Sequence, residues 1–297
     1  MKKDGFRSGF VSFVGRPNTG KSSLTNALVG KKVAITSPKP QTTRNAIRGI
    51  VQSPKGQLVV VDTPGLHRPK TLLGQRLNSV TEKVLADVDV IALCVPADER
   101  VGPGDRRIVR ELLKQPLARL LAIVTKTDLA SKGAIAERLV EVDQLANWES
   151  LVPVSSVTGD QLEVLLGQLL ALIPEGPPLY PSETVFDQTI EFHVAELIRE
   201  SALAELKEEV PHSIAVTVDE IAQRADGLQK VFASLWVERA SQKGIIIGKG
   251  GSRLREIGSK ARTQIEELLG HKIYLAVQIK VAKEWQRDPK QINKLGL

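Results

Sequence analysis

The chain has 297 residues, 42% hydrophobic and 25% charged, which suits two globular domains rather than one. Its single cysteine, Cys94, excludes an internal disulfide framework, and the surrounding apolar run makes it a buried structural thiol. The net charge of +7 is uneven: residues 239–297 hold 13 Lys+Arg and 5 Asp+Glu, residues 184–238 hold 4 and 11, so the C-terminal block suits a polyanion such as nucleic acid. A merely solvated charged surface is the plainer alternative.

No apolar stretch is long enough to span a bilayer. Met1-Lys2-Lys3 is basic, but no apolar leader follows before Arg7. A cytoplasmic, monomeric protein is expected, with weak peripheral membrane contact left open.

In chain order, Gly9–Val14 predicts a short buried strand. Gly15-Arg16-Pro17-Asn18-Thr19-Gly20-Lys21-Ser22 comes next and matches G-x-x-x-x-G-K-[ST]; Ser23–Val29 then reads as a helix. Strand, glycine loop and helix start aim backbone N–H groups at phosphate oxygens. Lys21 would reach the β- and γ-phosphates, and the Ser22 hydroxyl would ligate Mg²⁺. Lys31–Arg48, with Pro38 and Pro40, reads as a long loop over this site. A threonine hydroxyl from Gln41-Thr42-Thr43-Arg44 can complete the Mg²⁺ shell when a γ-phosphate is present.

Ala46–Gln52 and Gln57–Val61 predict a β-hairpin that runs into Asp62-Thr63-Pro64-Gly65. A carboxylate ending a buried strand can hold Mg²⁺, and the Gly65 N–H can sense the γ-phosphate. Leu66 stands where some GTPases place a water-orienting glutamine, so another group, the backbone or a partner must place the water. Thr71–Ala86 and Asp105–Leu113 predict helices, Val88–Val95 and Leu120–Val124 strands. The last strand ends in Thr125-Lys126-Thr127-Asp128, at the edge where open α/β sheets bind ligands. Asp128 can accept from guanine N1–H and the exocyclic amine, a pair adenine lacks. Lys126 would pack over the base. Val152–Val154 predicts a strand, Ser155, Ser156 and Val157 a loop whose N–H groups meet guanine O6, and Leu162–Leu172 the closing helix. The alternation predicts an α/β fold, a mostly parallel sheet with helices on both faces.

These segments resemble the five signature motifs of the Ras-like, translation-factor class of GTPases. G-R-P-N-T-G-K-S, Q-T-T-R and D-T-P-G-L are similar to the Era family of bacterial GTPases, a group with a hydrophobic residue where Leu66 stands. The resemblance implies GTP hydrolysis, with Thr43 or Thr42 as the switch-loop Mg²⁺ ligand and Asn18 helping to hold K⁺. The usual N-K-x-D reads T-K-T-D here; guanine specificity is expected to survive on Asp128, with an asparagine contact to N7 and to the phosphate loop lost. Thr19 stands where valine is commoner, and Ser156 where alanine is usual.

Ile173–Pro181 carries four prolines and reads as a semi-rigid linker. It divides a GTPase domain over 1–174 from a second domain over 184–297, with 175–183 between them. Thr184–Leu206 predicts a helix, Ser213–Val218, Leu228–Arg239 and Tyr274–Val281 strands, and Ser252–Leu269 a helix. Ile246-Ile247-Gly248-Lys249-Gly250-Gly251 resembles the I-G-x-x-G turn of KH domains, with the type II strand order. By that resemblance Gly248–Gly251 lets an RNA backbone approach, Lys249, Arg253, Arg255, Lys260 and Arg262 meet phosphates, and Ile246 or Ile247 lines the groove. A GTPase joined to a smaller α+β type II KH domain is again Era-like. It implies the 3′ end of 16S small-subunit ribosomal RNA and the 30S subunit as partners. The alternatives are an RNA-binding scaffold with a weakly hydrolytic site, a P-loop ATPase, and another RNA-linked GTPase. Trp285 either stacks on a base or packs the last strand; Trp148 and Trp236 read as structural. The four histidines show no metal-ligand spacing.

Overall fold

The computed structural model describes residues 5–39, 41–66, 69, 71–115, 117–206, 210–223 and 228–297. By its contacts the chain divides into two compact units, the first ending at Asp187, the second running from Gln188 to Leu297 with Ser37–Thr42 and Lys70–Gln75 grouped with it.

In the first unit, β1 (Arg7–Val14), β2 (Ile47–Ser53), β3 (Gly56–Asp62), β4 (Val90–Pro96), β5 (Arg119–Thr125) and β6 (Leu151–Pro153) form one sheet in the order β2-β3-β1-β4-β5-β6. Only the β2–β3 hairpin pair is antiparallel. Both faces are covered, which is why the central strands are almost continuously apolar. On one face, Leu24 of α1 (Lys21–Val29) and Leu165 and Leu169 of α5 (Leu162–Leu172) pack with Val11, Phe13, Leu58 and Ile123. On the other, Leu85 of α2 (Leu72–Asp87), Ile108 and Leu112 of α3 (Pro103–Leu112) and Val142 of α4 (Lys132–Asp143) pack with Val14, Val61, Leu93 and Val124. Helix α4, unassigned from the sequence, starts where the Ser131 hydroxyl accepts from the Ala134 N–H. The strand order reverses beside β1, the position where such sheets bind ligands beyond their C-terminal ends.

The proline-rich segment, expected as a linker, is laid along the first unit. The Gln57 side chain accepts from the Leu179 and Tyr180 N–H groups at 2.7 and 2.8 Å and donates to the Tyr180 carbonyl. Ser8 donates to the Pro177 carbonyl, and the Ile50 N–H donates to Val185. Phe186, expected inside a helix, instead bridges Gly49 of β2. Helix α6 begins only at Ile190 and runs to Glu205, because the Thr189 hydroxyl caps it by accepting from the Phe192 N–H.

In the second unit, β7 (Ala215–Gln223), β8 (Gln229–Val237) and β9 (Ile273–Val281) form a sheet in that order, β7–β8 antiparallel and β8–β9 parallel. This is the mixed order expected of a type II KH domain. Val231, Ala233, Leu235 and Val237 alternate into the core, as do Ile257, Ala261 and Ile265 of α8 (Ser252–Leu269). Helix α7 (Ala240–Ile247) precedes α8, and α9 (Pro289–Lys294) closes the chain. Trp285 is fully buried, and its Nε1–H donates to the Ser213 carbonyl at 2.9 Å. It packs the domain and does not stack on a base. Trp285→Ala should destabilise the second unit by about 3–5 kcal/mol in urea unfolding monitored by circular dichroism, and Trp285→Phe, which loses chiefly the hydrogen bond, by about 1–2 kcal/mol.

Candidate active site and nucleic-acid interface

The glycine loop lies between β1 and α1. A Cβ on Gly15 would sit 2.6 Å from both the Cys94 carbonyl and Thr19 Oγ1, so only glycine fits. Asn18 and Gly20 turn through positive φ, 65° and 90°. Lys21, 6% exposed, donates from Nζ to the Arg16 carbonyl at 2.8 Å and to Gly15 at 3.2 Å. Burial lowers its pKa, opposed by the Asp62 charge. A Cβ on Gly65 would be 3.1 Å from the Pro17 nitrogen and 3.4 Å from Lys21 Nζ, so the D-T-P-G turn reaches the loop at the lysine. Arg16 points away from it, to Asp105 Oδ1 and Glu99 Oε2, each at 2.9 Å.

Three oxygens expected to ligate Mg²⁺ come together. Ser22 Oγ donates to Asp62 Oδ2 at 2.7 Å, Thr43 Oγ1 donates to the same oxygen at 3.1 Å, and the two hydroxyls are 3.1 Å apart. Asp62 is fully buried, its pKa raised by desolvation and lowered in part by those hydroxyls and the Lys21 charge, and its Oδ1 has no hydrogen-bond partner among the described residues. An orphaned buried carboxylate oxygen beside two hydroxyls is a hard-oxygen donor set that fits Mg²⁺. Among the described residues no cluster of His, Cys, Asp and Glu forms a competing metal site. The Thr42 hydroxyl instead donates to the Lys39 carbonyl at 2.6 Å. Leu66 leans on the apolar core under α2, α3 and α4. Cys94 is buried, which pushes its thiol up to about 12.

At the end of β5, Thr125 Oγ1 donates to the Thr19 carbonyl at 2.7 Å. From the sequence, this tie to the phosphate loop was expected to be lost with the asparagine; the hydroxyl keeps it. Lys126 adopts φ 56° and starts the turn that presents Asp128. Ser155 donates to Asp128 Oδ1 at 2.6 Å and accepts from the Val157 and Thr158 N–H groups. It therefore aims the carboxylate and shapes the loop of Ser156 and Val157, an orienting role that spacing does not reveal.

In the second unit, Gly248, Gly250 and Gly251 all have positive φ, and nothing lies within 4 Å of a Cβ built on Gly250 or Gly251. The turn thus offers open backbone at the start of α8. Beside it lies a cavity of about 460 Å³, lined by Leu254, Arg255, Gly258 and Arg262 of α8 and Leu275 and Val277 of β9. Ile246 does not line it: it is fully buried in the core. Ile247 is half-buried, Lys249 exposed. Arg253 donates to the Ile245 carbonyl and Lys260 pairs with Glu205 and Glu256, so Arg255 and Arg262 are the cations at the groove. Leu254, Gly258, Leu275 and Val277 were not singled out from the sequence. The helical spacing 251, 254–255, 258, 262 was the available signal.

Comparison with known proteins finds a different family in each half of the chain. The family described as 50S ribosome-binding GTPase matches residues 10–126, and the KH domain family matches 209–286. The GTPase Era of Nocardioides sp. is 57% identical over 300 residues, covering 98% of this chain and 96% of that protein. That of Mycolicibacterium smegmatis is 56% identical, covering 98% and 99%. Among solved structures, an Aquifex aeolicus Era variant bound to GDP and AlF4⁻ superposes with TM-score 0.94 at 34% identity, covering 98% of this chain and 99% of that one. An Era complex with MgGDPNP and nucleotides 1506–1542 of 16S ribosomal RNA gives 0.93 at 35%, with the same coverage.

If the metal-side oxygens are assigned correctly, Thr43→Ala should weaken Mg²⁺-dependent binding of a non-hydrolysable GTP analogue by at least about tenfold, and Thr42→Ala should not, by isothermal titration with and without Mg²⁺.

Proposed function

The chain belongs to the Era family of GTPases, and on that premise we propose that its nucleotide state controls binding of the 3′ end of 16S ribosomal RNA during 30S subunit assembly and rRNA maturation. The observation that supports the nucleotide chemistry best is the convergence of Ser22, Thr43 and Asp62 beside Lys21 and Gly65. Lys21 exchanges its loop carbonyls for β- and γ-phosphate oxygens. Held by Ser22, Thr43 and Asp62, Mg²⁺ supplies positive charge against those oxygens. The Gly65 N–H donates to the γ-phosphate, so loss of that group releases both Thr43 and Gly65. Water attacks the γ-phosphorus in line, the bond to the β–γ bridging oxygen breaks, and GDP and phosphate leave. Leu66 has no group to orient that water; Asn18, by family resemblance, helps hold K⁺ as a substitute positive charge. Asp128, aimed by Ser155, selects guanine. These roles, with the remaining loop contacts of Arg16, Pro17, Thr19, Ser23, Thr63, Pro64, Thr125 and Lys126, form the proposed site.

For RNA, the family and the groove between α8 and β9 support the reading together. Gly248–Gly251 admits the backbone, Arg255 and Arg262 meet phosphates, and Leu254, Leu275 and Val277 give bases an apolar wall. The Era complex solved with nucleotides 1506–1542 of 16S ribosomal RNA supplies the target. No helix among the described residues is long and apolar enough to cross a membrane. The reading places the protein in the cytoplasm as a monomer, with any membrane contact weak and peripheral.

A second reading, an RNA scaffold with a weakly hydrolytic site, draws on Leu66. Single-turnover hydrolysis decides between them: the switch predicts GTP cleavage that is faster in K⁺ than in Na⁺, no tight ATP binding, and loss of tight GTP binding in Lys21→Ala. Equal GTP and ATP affinity, or a Lys21→Ala variant that behaves like the parent, would sink the site assignment. For the groove, Arg255→Ala or Arg262→Ala should each lower the slope of log affinity against log salt by about 0.7 for single-stranded 16S 3′-end RNA. Ile246→Ala should instead destabilise the fold by about 2–5 kcal/mol.

A further inference from the structure

Guanine carries two kinds of recognition group. N1–H and the exocyclic amine donate; O6 and N7 accept. Asp128 is an acceptor and serves only the first kind. A reader of N7 must be a donor. The residue that opens the base-reading turn, Thr125, is 3% exposed, and its hydroxyl lies 2.7 Å from the Thr19 carbonyl. A threonine hydroxyl has one proton, and a backbone carbonyl can only accept, so that proton is spent on the phosphate loop. The buried hydroxyl of Ser155, on the loop after β6, is also committed: it donates to Asp128 Oδ1 and accepts from the Val157 and Thr158 N–H groups. An amide at position 125 would have two N–H donors, one for the Thr19 carbonyl and one to spare.

We propose that Thr125 is a specificity-determining residue that makes this chain read guanine without N7, so that it accepts 7-deazaguanine nucleotides as well as guanine ones. The threonine preserves the mechanical half of the amide's role, joining the base loop to the phosphate loop, and drops the recognition half. Base selection then falls on Asp128 and on backbone N–H groups facing O6. The inference rests on the assignment of Asp128 as the reader of the Watson–Crick edge.

The test uses the full chain and competitive displacement of a fluorescent GDP by GTP, 7-deaza-GTP and inosine triphosphate in the presence of Mg²⁺. The affinities of GTP and 7-deaza-GTP are expected to agree within about twofold, since no hydrogen bond is lost. Inosine triphosphate, which lacks the amine that a carboxylate would accept from, should bind at least about tenfold more weakly. Thr125→Asn should open a gap of about fivefold or more between GTP and 7-deaza-GTP, and Thr125→Val should weaken both equally. A parent protein that loses fivefold or more affinity for 7-deaza-GTP overturns the proposal. So does a folded Thr125→Asn variant, with an unchanged melting temperature, that still fails to distinguish the two. Inosine triphosphate binding as tightly as GTP would instead overturn the Asp128 assignment, so the two failures are told apart.

Discussion

A fully buried carboxylate is the constraint around which the proposed nucleotide site is built. Asp62 ends β3 at zero exposure, and isolating such a charge costs several kcal/mol unless neighbours compensate. Ser22 and Thr43 each donate to one of its oxygens, and the nearby Lys21 charge stabilises it. The other oxygen has no hydrogen-bond partner among the described residues. The compensation therefore draws on α1 through Ser22 and on the long loop after it through Thr43. A buried acid that needs more positive charge than the chain supplies is also what a divalent cation and a phosphate group would complete.

The sheet order makes this convergence geometric rather than accidental. β1 lies between β3 and β4, so the loop leaving β1 and the turn leaving β3 emerge side by side. Gly15 and Gly65 permit the contact, because a side chain at either would meet backbone. β5 lies one strand beyond β4, close enough for Thr125 to hydrogen-bond to Thr19, 106 residues earlier in the chain. The glycine loop after β1 and the turn after β5, the proposed phosphate and base sites, are joined through that bond.

Much of this was legible in the sequence. The apolar runs of β1, β3 and β4 fall where expected because both faces of the sheet are covered, and α8 matches its expected limits because Gly251 and Gly270 bound it on both sides. The illegible parts share a cause: they depend on partners distant in sequence. Nothing near Ile246 marks it as core rather than groove. The proline-rich segment reads as a spacer until Gln57, some 120 residues earlier, is seen to hold it. The start of α6 was misplaced because Phe186 continues the helical apolar spacing of Ile190 and Val194, while the Thr189 cap decides the boundary. Thr125 could be seen as a departure, but not that its hydroxyl preserves the loop contact.

Helix starts separate structure from function in both units. Helices α4, α6 and α9 are closed by side-chain oxygens of Ser131, Thr189 and Asp288, which satisfy N–H groups that would otherwise be orphaned. Helices α1 and α8 begin at left-handed glycines, Gly20 and Gly251, with no side-chain cap. Helices α3, α5 and α7 also start without one, at Gly102, Gln161 and Arg239, but none of them starts at a left-handed glycine. Both α1 and α8 come directly after glycine turns and carry basic residues, Lys21 in one and Arg253 and Arg255 in the other. A glycine in place of a polar cap sacrifices only roughly a few tenths of a kcal/mol of helix stability at each site and leaves first-turn N–H groups for an anion. The two units have unrelated strand orders, yet each opens a helix at a glycine turn with the same local device, a left-handed glycine in place of a cap.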